Sequence, residues 1–257
     1  MIIDNVLDTA RPYLENRTIT DAVIGLSLIG IELDNGNVGL SYMLREDLPS
    51  GCSTFGFAQE LIGMKALDGA ILVKEGKNDA EKGVGLAILN AASRQQKLID
   101  IENHELFFGI DFLPSDIVGM IGLIAPVAER LAKKVKKLII FDKAISDKDD
   151  NSNQVYKMEE QSKLLPECDI VLLSGTTVIN NTIDGLLKMC SHAREIVMVG
   201  SSTPMYPEAF KNTGVTVLAG AWWNQEHKEE LFKKISLSGG ISHVQKSMIK
   251  KAVHVVK

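Results

Sequence analysis

Ser174-Gly-Thr-Thr177 and Gly200-Ser-Ser-Thr203 are compact groups of small polar residues, and each closes a run of Val, Ile, Leu and Met. Hydroxyls with backbone N–H groups behind them can hold a carboxylate, a phosphate or the polar edge of a heterocycle. Asn180 follows about one helical turn after Thr177 and adds an amide. Gly119-Met-Ile-Gly122 ends another apolar run, and glycines there let a ligand come close to the main chain. Asp142 lies about 20 residues after Gly122, the spacing at which a Rossmann-type domain places an acid for ribose hydroxyls. Asp142 is also the carboxylate best placed to act as a general base. Each feature has a purely structural counterpart. Thr176 or Thr177 can cap a helix, Gly119 and Gly122 can serve strand–helix packing, and Lys143 can hold Asp142 in a surface ion pair.

Other chemistries find less support. Cys190-Ser-His192 and Cys168-Asp169 are the compact soft-ligand groupings, and neither has a zinc spacing, so no metal ligand is assigned. His104-Glu105 lacks a second histidine at the metalloprotease spacing. Gly-x-Ser-x-Gly and the Walker lysine motif are missing. The turn around Gly119 and Gly122 departs from Gly-x-Gly-x-x-Gly, which argues against a dinucleotide. Trp222 and Trp223 could wall a site for a flat ligand or could pack in a core. Glu32, Asp34 and Glu60 contribute only where the first half of the chain closes over the site.

These residues need elements to position them. Asp116 to Gly122, Lys137 to Asp142, Asp169 to Thr177 and Glu195 to Thr203 are near-continuous apolar runs ending in small polar residues, and Val215 to Ala219 adds a fifth strand. Such runs suit strands buried on both faces of a parallel sheet. The intervening patterns predict helices at Pro126 to Val135, Val155 to Leu165, Val178 to Cys190, Tyr206 to Lys211 and Gln225 to Ile235. In a doubly wound sheet the carboxyl ends of the strands face one crevice, where ligands bind. The first half reads differently. An amphipathic helix runs from Asp4 to about Arg17, with Pro12 inside it. Apolar runs from Asp21 to Leu33 and from Val38 to Leu44 flank Asp34-Asn-Gly-Asn37, a hairpin signal. A loop at Leu48 to Gly56, a helix at Ala58 to Leu67, a short strand at Ala70 to Val73 and a helix capped by Asn78 or Asp79 and running to about Arg94 complete it. Gly83 and Gly85 in that last helix imply close packing or close approach of a ligand. The stretch from Gln95 to Pro114 lacks periodicity and reads as the crossing between domains. The fold class is therefore α/β, with a small α+β domain at residues 1–95 and a Rossmann-like doubly wound parallel sheet at residues 96–257.

The 257 residues suffice for a sizeable core, and a net charge of −5 argues against wholesale nucleic-acid binding. The last fifteen residues carry Lys246, Lys250, Lys251 and Lys257 without an acid, read as a solvated helix face or a basic docking tail. Asp4 and Asp8 interrupt the early apolar residues, and no uninterrupted apolar stretch has membrane-spanning length. A cytoplasmic protein with reduced cysteines and no membrane partner is expected, and a homodimer is a fair prior.

Four segments together carry a resemblance: Gly85-Leu-Ala-Ile-Leu-Asn-Ala91, Val118-Gly-Met-Ile-Gly122, Asp169-Ile-Val-Leu-Leu-Ser-Gly-Thr-Thr177 and Val199-Gly-Ser-Ser-Thr-Pro-Met205. In this order the chain resembles a family of prokaryotic proteins described as "putative heavy-metal chelation". The resemblance implies an N-terminal domain similar to the enolase N-terminal fold, a Rossmann-like C-terminal domain and a site between them. It also implies a role in metal chelation, or in condensing or hydrolysing pterin-, flavin- or siderophore-like molecules. Asn90 joins the site through this resemblance. The expected ligand set is Asn90, Gly119, Gly122, Ser174, Gly175, Thr176, Thr177, Asn180, Gly200, Ser201, Ser202 and Thr203, with Asp142 as acceptor or base. The expected ligand is a small polar or flat heterocyclic molecule. Two alternatives stand beside it: a methyltransferase-like enzyme binding S-adenosylmethionine, and a non-enzymatic protein binding a metal ion or a metallophore.

Overall fold

The computed structural model describes residues 1–46, 48, 55–102, 106–146 and 154–256. Most of the loop expected at Leu48 to Gly56, the His104-Glu105 pair and Lys257 lie outside the described residues.

Among the described residues, ten strands form two sheets. β1 (Ile19–Ile24), β2 (Leu28–Leu33) and β3 (Val38–Tyr42) make an antiparallel meander. The run predicted from Asp21 to Leu33 is thus two strands, turned at Gly25-Leu-Ser27. The β2–β3 turn is the expected one. Gly36 takes φ +77°, and the Asn35 side chain accepts the Asn37 N–H at 3.1 Å. The second sheet contains β4 (Ile117–Ile121), β5 (Lys137–Phe141), β6 (Val155–Tyr156), β7 (Ile170–Ser174), β8 (Glu195–Val199), β9 (Val217–Trp223) and β10 (Met248–His254). Its order is β10-β9-β8-β7-β4-β5-β6, and every pair is parallel except β9–β10. The chain moves outward from β4 through β5 to β6, then returns to the other side of β4 at β7. The topological switch point therefore lies between β4 and β7.

The helix Asp79–Ser93 decides how the halves fit. It starts where Asn78 accepts the Glu81 N–H, and all its residues except Asp79 and Lys82 are buried. Its glycines and one from β3 permit backbone-to-backbone packing. A Cβ on Gly39 would lie 2.1 Å from the Ala87 carbonyl, and one on Gly85 would lie 2.2 Å from the Val73 nitrogen. Both faces of the meander are used, as period-2 alternation requires. Ile29, Ile31 and Leu33 join the core of the long helix, a core that also takes in Ile121, Ile139, Leu173 and Met198 of the large sheet. Leu28, Val38 and Leu40 pack with Trp223, Leu231, Phe232 and Ile235. The last three belong to the helix Lys228–Ser236, and Lys228 there pairs with Asp21 at 2.7 Å and Glu32 at 3.5 Å. The meander is thus held by the long helix on one face and by the second half on the other.

Several local expectations are corrected. Ala58 to Leu67 forms turns that end at Gly63 (φ +89°), and the following helix starts at Ala66. Ala70 to Val73 is helical rather than extended: Ala66, Ala70 and Val73 are buried at helical spacing, which a short apolar run does not reveal. Val155 to Leu165 opens with strand β6 before a 3-10 turn and one helical turn. Tyr206 to Lys211 holds only a 3-10 turn, Pro207–Phe210. Val178 to Cys190 is two helices, Thr176–Ile179 and Ile183–Met189, parted by Asn181 at φ +56°. The basic C-terminus is strand β10, not a helix face. Its free edge is partly covered, because the Ile101 N–H donates to the Ala252 carbonyl at 2.8 Å. Among the described residues no helix is long and apolar enough to cross a membrane.

At the amino ends of the strands, Arg194 grips Asp116 through two N–H donors at 2.9 and 2.7 Å. Burial opposes ionisation of Asp116, but Arg194 and the Leu113 N–H outweigh it and hold the carboxyl below its ordinary value. A carboxylate with a depressed folded-state pKa stabilises the fold above its unfolded pKa and loses that contribution as pH falls through the folded one. Asp116→Asn should therefore cost about 2 kcal/mol at pH 7, less than a fully buried pair because Arg194 is 40% exposed. Urea titrations should show the gap between wild type and variant closing below about pH 4. Gly39→Ala should cost about 3 kcal/mol or more in the same assay, since main-chain atoms of the long helix would have to move.

Candidate functional site

A cavity of about 690 Å³ opens at the carboxyl ends of β4, β5 and β7, at the switch point. Ile121 and Gly122 follow from β4, Phe141, Asp142 and Lys143 from β5, and Ser174, Thr176 and Thr177 from β7. Asn180 to Thr182, Gly185, Leu186 and Met189 form one wall, and Met158 and Gln161 another. Leu44, Glu46 and Asp79 reach in from the first half.

Gly122 turns the chain out of β4 at φ +81°, and a Cβ there would lie 3.1 Å from Ser174 Cβ, so the two strand ends are in contact. The next amide, Leu123 N–H, donates to Asp142 Oδ2 at 2.8 Å. This bond fixes the carboxylate at the mouth of the β4 turn. Ser174 Oγ and Thr176 Oγ1 share a hydrogen bond of 2.8 Å, and the buried Thr177 donates to the Ser174 carbonyl at 2.8 Å. Asn180 Oδ1 accepts from Thr182 Oγ1 at 2.7 Å and holds the break between the two helices. Lys143 Nζ meets Glu46 Oε2 at 2.6 Å and links the halves beside the cavity.

The predicted set therefore divides. Gly122, Asp142, Ser174, Thr176, Thr177 and Asn180 line the cavity. Gly119, Gly175, Gly200, Ser201, Ser202, Thr203 and Asn90 do not. Gly119 packs on Cys168, and Gly175 sits where a Cβ would be 2.4 Å from the Ser202–Thr203 main chain. Gly200 turns at φ +114°. Ser201, Ser202, Thr203 and Asn90 are buried in the joint between the halves. Ser202 Oγ accepts the Tyr42 N–H at 2.8 Å, and Thr203 Oγ1 lies 3.5 Å from the Ala219 carbonyl. Asn90 Nδ2 donates to Leu40 O at 2.8 Å and to Ser201 O at 3.2 Å. The fully buried Tyr206 donates to the Leu89 carbonyl at 2.6 Å, and burial pushes its hydroxyl pKa up, so it remains a donor. Trp222 donates to Ser93 Oγ at 3.1 Å, and Trp223 is core. Glu32 pairs with Lys228 and Asp34 with Arg17, both away from the cavity.

Some lining residues were missed. Leu44, Glu46, Asp79, Met158 and Met189 sit on elements whose placement only the tertiary fold fixes. Asn181, Thr182 and Gly185 were more accessible: two adjacent asparagines inside a predicted helix signal a break, because Asn tolerates positive φ.

The donor set among the described residues does not fit a resident metal. Among the described residues no group of three or more His, Cys, Asp or Glu could hold one. Each cavity carboxylate has its own partner: Glu46 has Lys143, Asp79 has Lys82, and Asp142 has the Leu123 amide. Burial pushes the Cys168 and Cys190 thiols up to about 12, so they stay protonated and poor ligands near neutral pH.

A family model described as "Putative heavy-metal chelation" matches residues 106–254, more than half of the chain. The chain belongs to this family. A second model with the same description matches residues 7–93, so the two matched segments cover the two halves of the fold. An uncharacterized protein of Methanocaldococcus jannaschii is 28% identical over 178 residues, 68% of this chain and 67% of that one. Two solved structures share the fold, each titled as a family member with unknown function. One from Pyrococcus horikoshii has a TM-score of 0.77 at 21% identity and covers 99% of this chain and 100% of that chain. One from Desulfitobacterium hafniense has a TM-score of 0.78 at 21% identity and covers 98% of this chain and 97% of that chain.

Asn90→Ala strips the Leu40 and Ser201 carbonyls of a buried donor. It should lower stability by about 2 kcal/mol. Thermal unfolding should show a fall of roughly 4–8 °C.

Proposed function

We propose that this protein binds a small organic molecule in the cavity between its halves, as an enzyme or a carrier. The observation that carries this reading is the position of the cavity, at the switch point of the parallel sheet with lining residues from both halves. Its size suits a drug-sized or nucleoside-sized ligand. Leu44, Ile121, Leu186 and Met189 offer apolar surface for a ring, while Ser174, Thr176, Asn180 and Asp142 offer polar anchors. A pterin-, flavin- or siderophore-like molecule has both characters. On this reading a heavy metal enters as the cargo of an organic chelator, not as an ion held by protein side chains. Asp142, fixed by the Leu123 amide, accepts hydrogen bonds from the ligand or takes a proton from it.

A second reading has its own support. Asp142 at the end of β5, beside the glycine turn of β4, occupies the place from which Rossmann-like enzymes grip ribose hydroxyls. S-adenosylmethionine therefore belongs in any ligand panel.

Gly185 supplies the test. A Cβ there meets nothing within 4 Å, and the residue lines the cavity on the helix Ile183–Met189. Gly185→Leu should fill the cavity and leave stability equal or up to about 1 kcal/mol higher, from helix propensity. Thermal shift should be run with S-adenosylmethionine, a pterin, a flavin, a ferric siderophore and bare cobalt or nickel ions. At about 100 times Kd an organic ligand should raise the wild-type Tm by roughly 5–10 °C and leave Gly185→Leu unmoved. Stabilisation by bare ions alone, equal in both proteins, would overturn the proposal.

A further inference from the structure

We infer that the cavity selects an uncharged or cationic ligand with hydrogen-bond donors and rejects phosphorylated ones; this rests on the cavity being a ligand site. The reason is the fate of the backbone amides around it. In nucleotide-binding sheets the turn after the first strand offers free N–H groups to a phosphate, helped by the helix that follows. Here that turn spends its amides internally. Gly122 N–H donates to the Phe141 carbonyl at 2.7 Å and Leu123 N–H to Asp142 at 2.8 Å. Ile124 N–H points at Met120 Sδ at 3.4 Å. Pro126 has no N–H, and Val127 and Ala128 both donate to the Ile124 carbonyl at 2.9 Å.

Two other chain turns at the cavity behave alike. After β7, Thr176 N–H is held by Ser174 Oγ at 3.3 Å, Val178 N–H by the Gly175 carbonyl at 3.2 Å, and Thr182 N–H by the Thr177 carbonyl at 3.0 Å. At the start of the long helix, Asn78 Oδ1 takes the Glu81 N–H at 2.9 Å and Glu81 Oε2 takes the Lys77 N–H at 2.8 Å.

The side chains extend the pattern. Glu46, Asp79 and Asp142 bring three carboxylates to the cavity, and Lys143 is the cation among its lining residues. Lys143 is engaged by Glu46, while Lys82 offsets Asp79 from 3.1 Å. An anion entering this space meets these engaged amides and three carboxylates among the described lining residues. A ligand with an amine or a pair of hydroxyls finds acceptors instead. In the Ser174–Thr176 pair one hydroxyl proton is spent on the neighbour, which leaves a single O–H to donate and several lone pairs to accept. The cavity is thus built to receive donors.

A charge-matched fragment set tests this: amines, diols, carboxylates and phosphate monoesters of similar size, screened by ligand-observed NMR against wild type and Gly185→Leu. Fragments whose binding disappears in Gly185→Leu are assigned to the cavity. Amines and diols should dominate them. Asp142→Asn, in which the amide oxygen can still accept the Leu123 N–H, should weaken the amines by about tenfold or more. Unchanged thermal stability will show that this variant remains folded. Phosphates or carboxylates that bind the cavity as well as the amines, or amines indifferent to Asp142→Asn, overturn the selectivity and leave the cavity standing as a ligand site. A set in which no fragment of any charge depends on Gly185 overturns both readings together.

Discussion

The molecule depends on getting one helix end dry without leaving its carbonyls unpaired. The helix Asp79–Ser93 is buried through its last turn, where a helix normally turns orphan carbonyls toward water. Here the Arg94, Gln95 and Gln96 N–H groups take the Ala91, Ala92 and Ser93 carbonyls, and buried side chains add further donors. Tyr206 takes the Leu89 carbonyl, Ser93 takes that of Asn90, and Trp222 in turn donates to Ser93. Asn90 bridges β3 and the loop after β8. Small residues at Gly39, Gly85 and Gly175 bring the backbones close enough for these bonds. Close packing and hydrogen bonding to the main chain go together at this joint, with Asn90 Oδ1 alone of that side chain's polar atoms left without a partner, and it uses Gly, Ala, Ser and Asn where an ordinary core would use larger apolar residues.

The cavity follows from that joint. The long helix presents Asp79 at its start, and β3 runs on into Leu44 and Glu46. With the far end of the helix locked to the large sheet, these residues are carried over the carboxyl ends of β4, β5 and β7. The first half thus completes a cavity whose floor belongs to the second. The loop after β8 belongs to the joint. Its Ser201, Ser202 and Thr203 have the composition of a binding loop and the burial of a structural one.

That distinction marks where sequence reasoning succeeds and stops. The parallel strands, the Asn35-Gly36 turn and the Asn78 cap are local features, and their patterns name them directly. Gly122, Asp142, Ser174 and Thr176 were legible because the carboxyl ends of parallel strands must meet at a switch point. Ser202 was assigned to the ligand from its hydroxyl and Asn90 through the family resemblance, and hydroxyl and amide groups look alike whether they face a ligand or a buried backbone. Only the tertiary partner, Tyr42 N–H or Leu40 O, tells the two apart. Short apolar runs failed for a related reason: Ala70 to Val73 fits a strand or a helix until its neighbours decide. The basic C-terminus failed because its pairing partner, β9, lies in another part of the chain.

The meander covered by Lys228–Ser236 has a consequence during synthesis. Leu28, Val38 and Leu40 leave the ribosome well before Leu231, Phe232 and Ile235, which shield them. Until then a three-stranded sheet presents an uncovered apolar side, and contacts of such long sequence separation close slowly. The exposure of the nascent meander ends only when the helix Lys228–Ser236 docks.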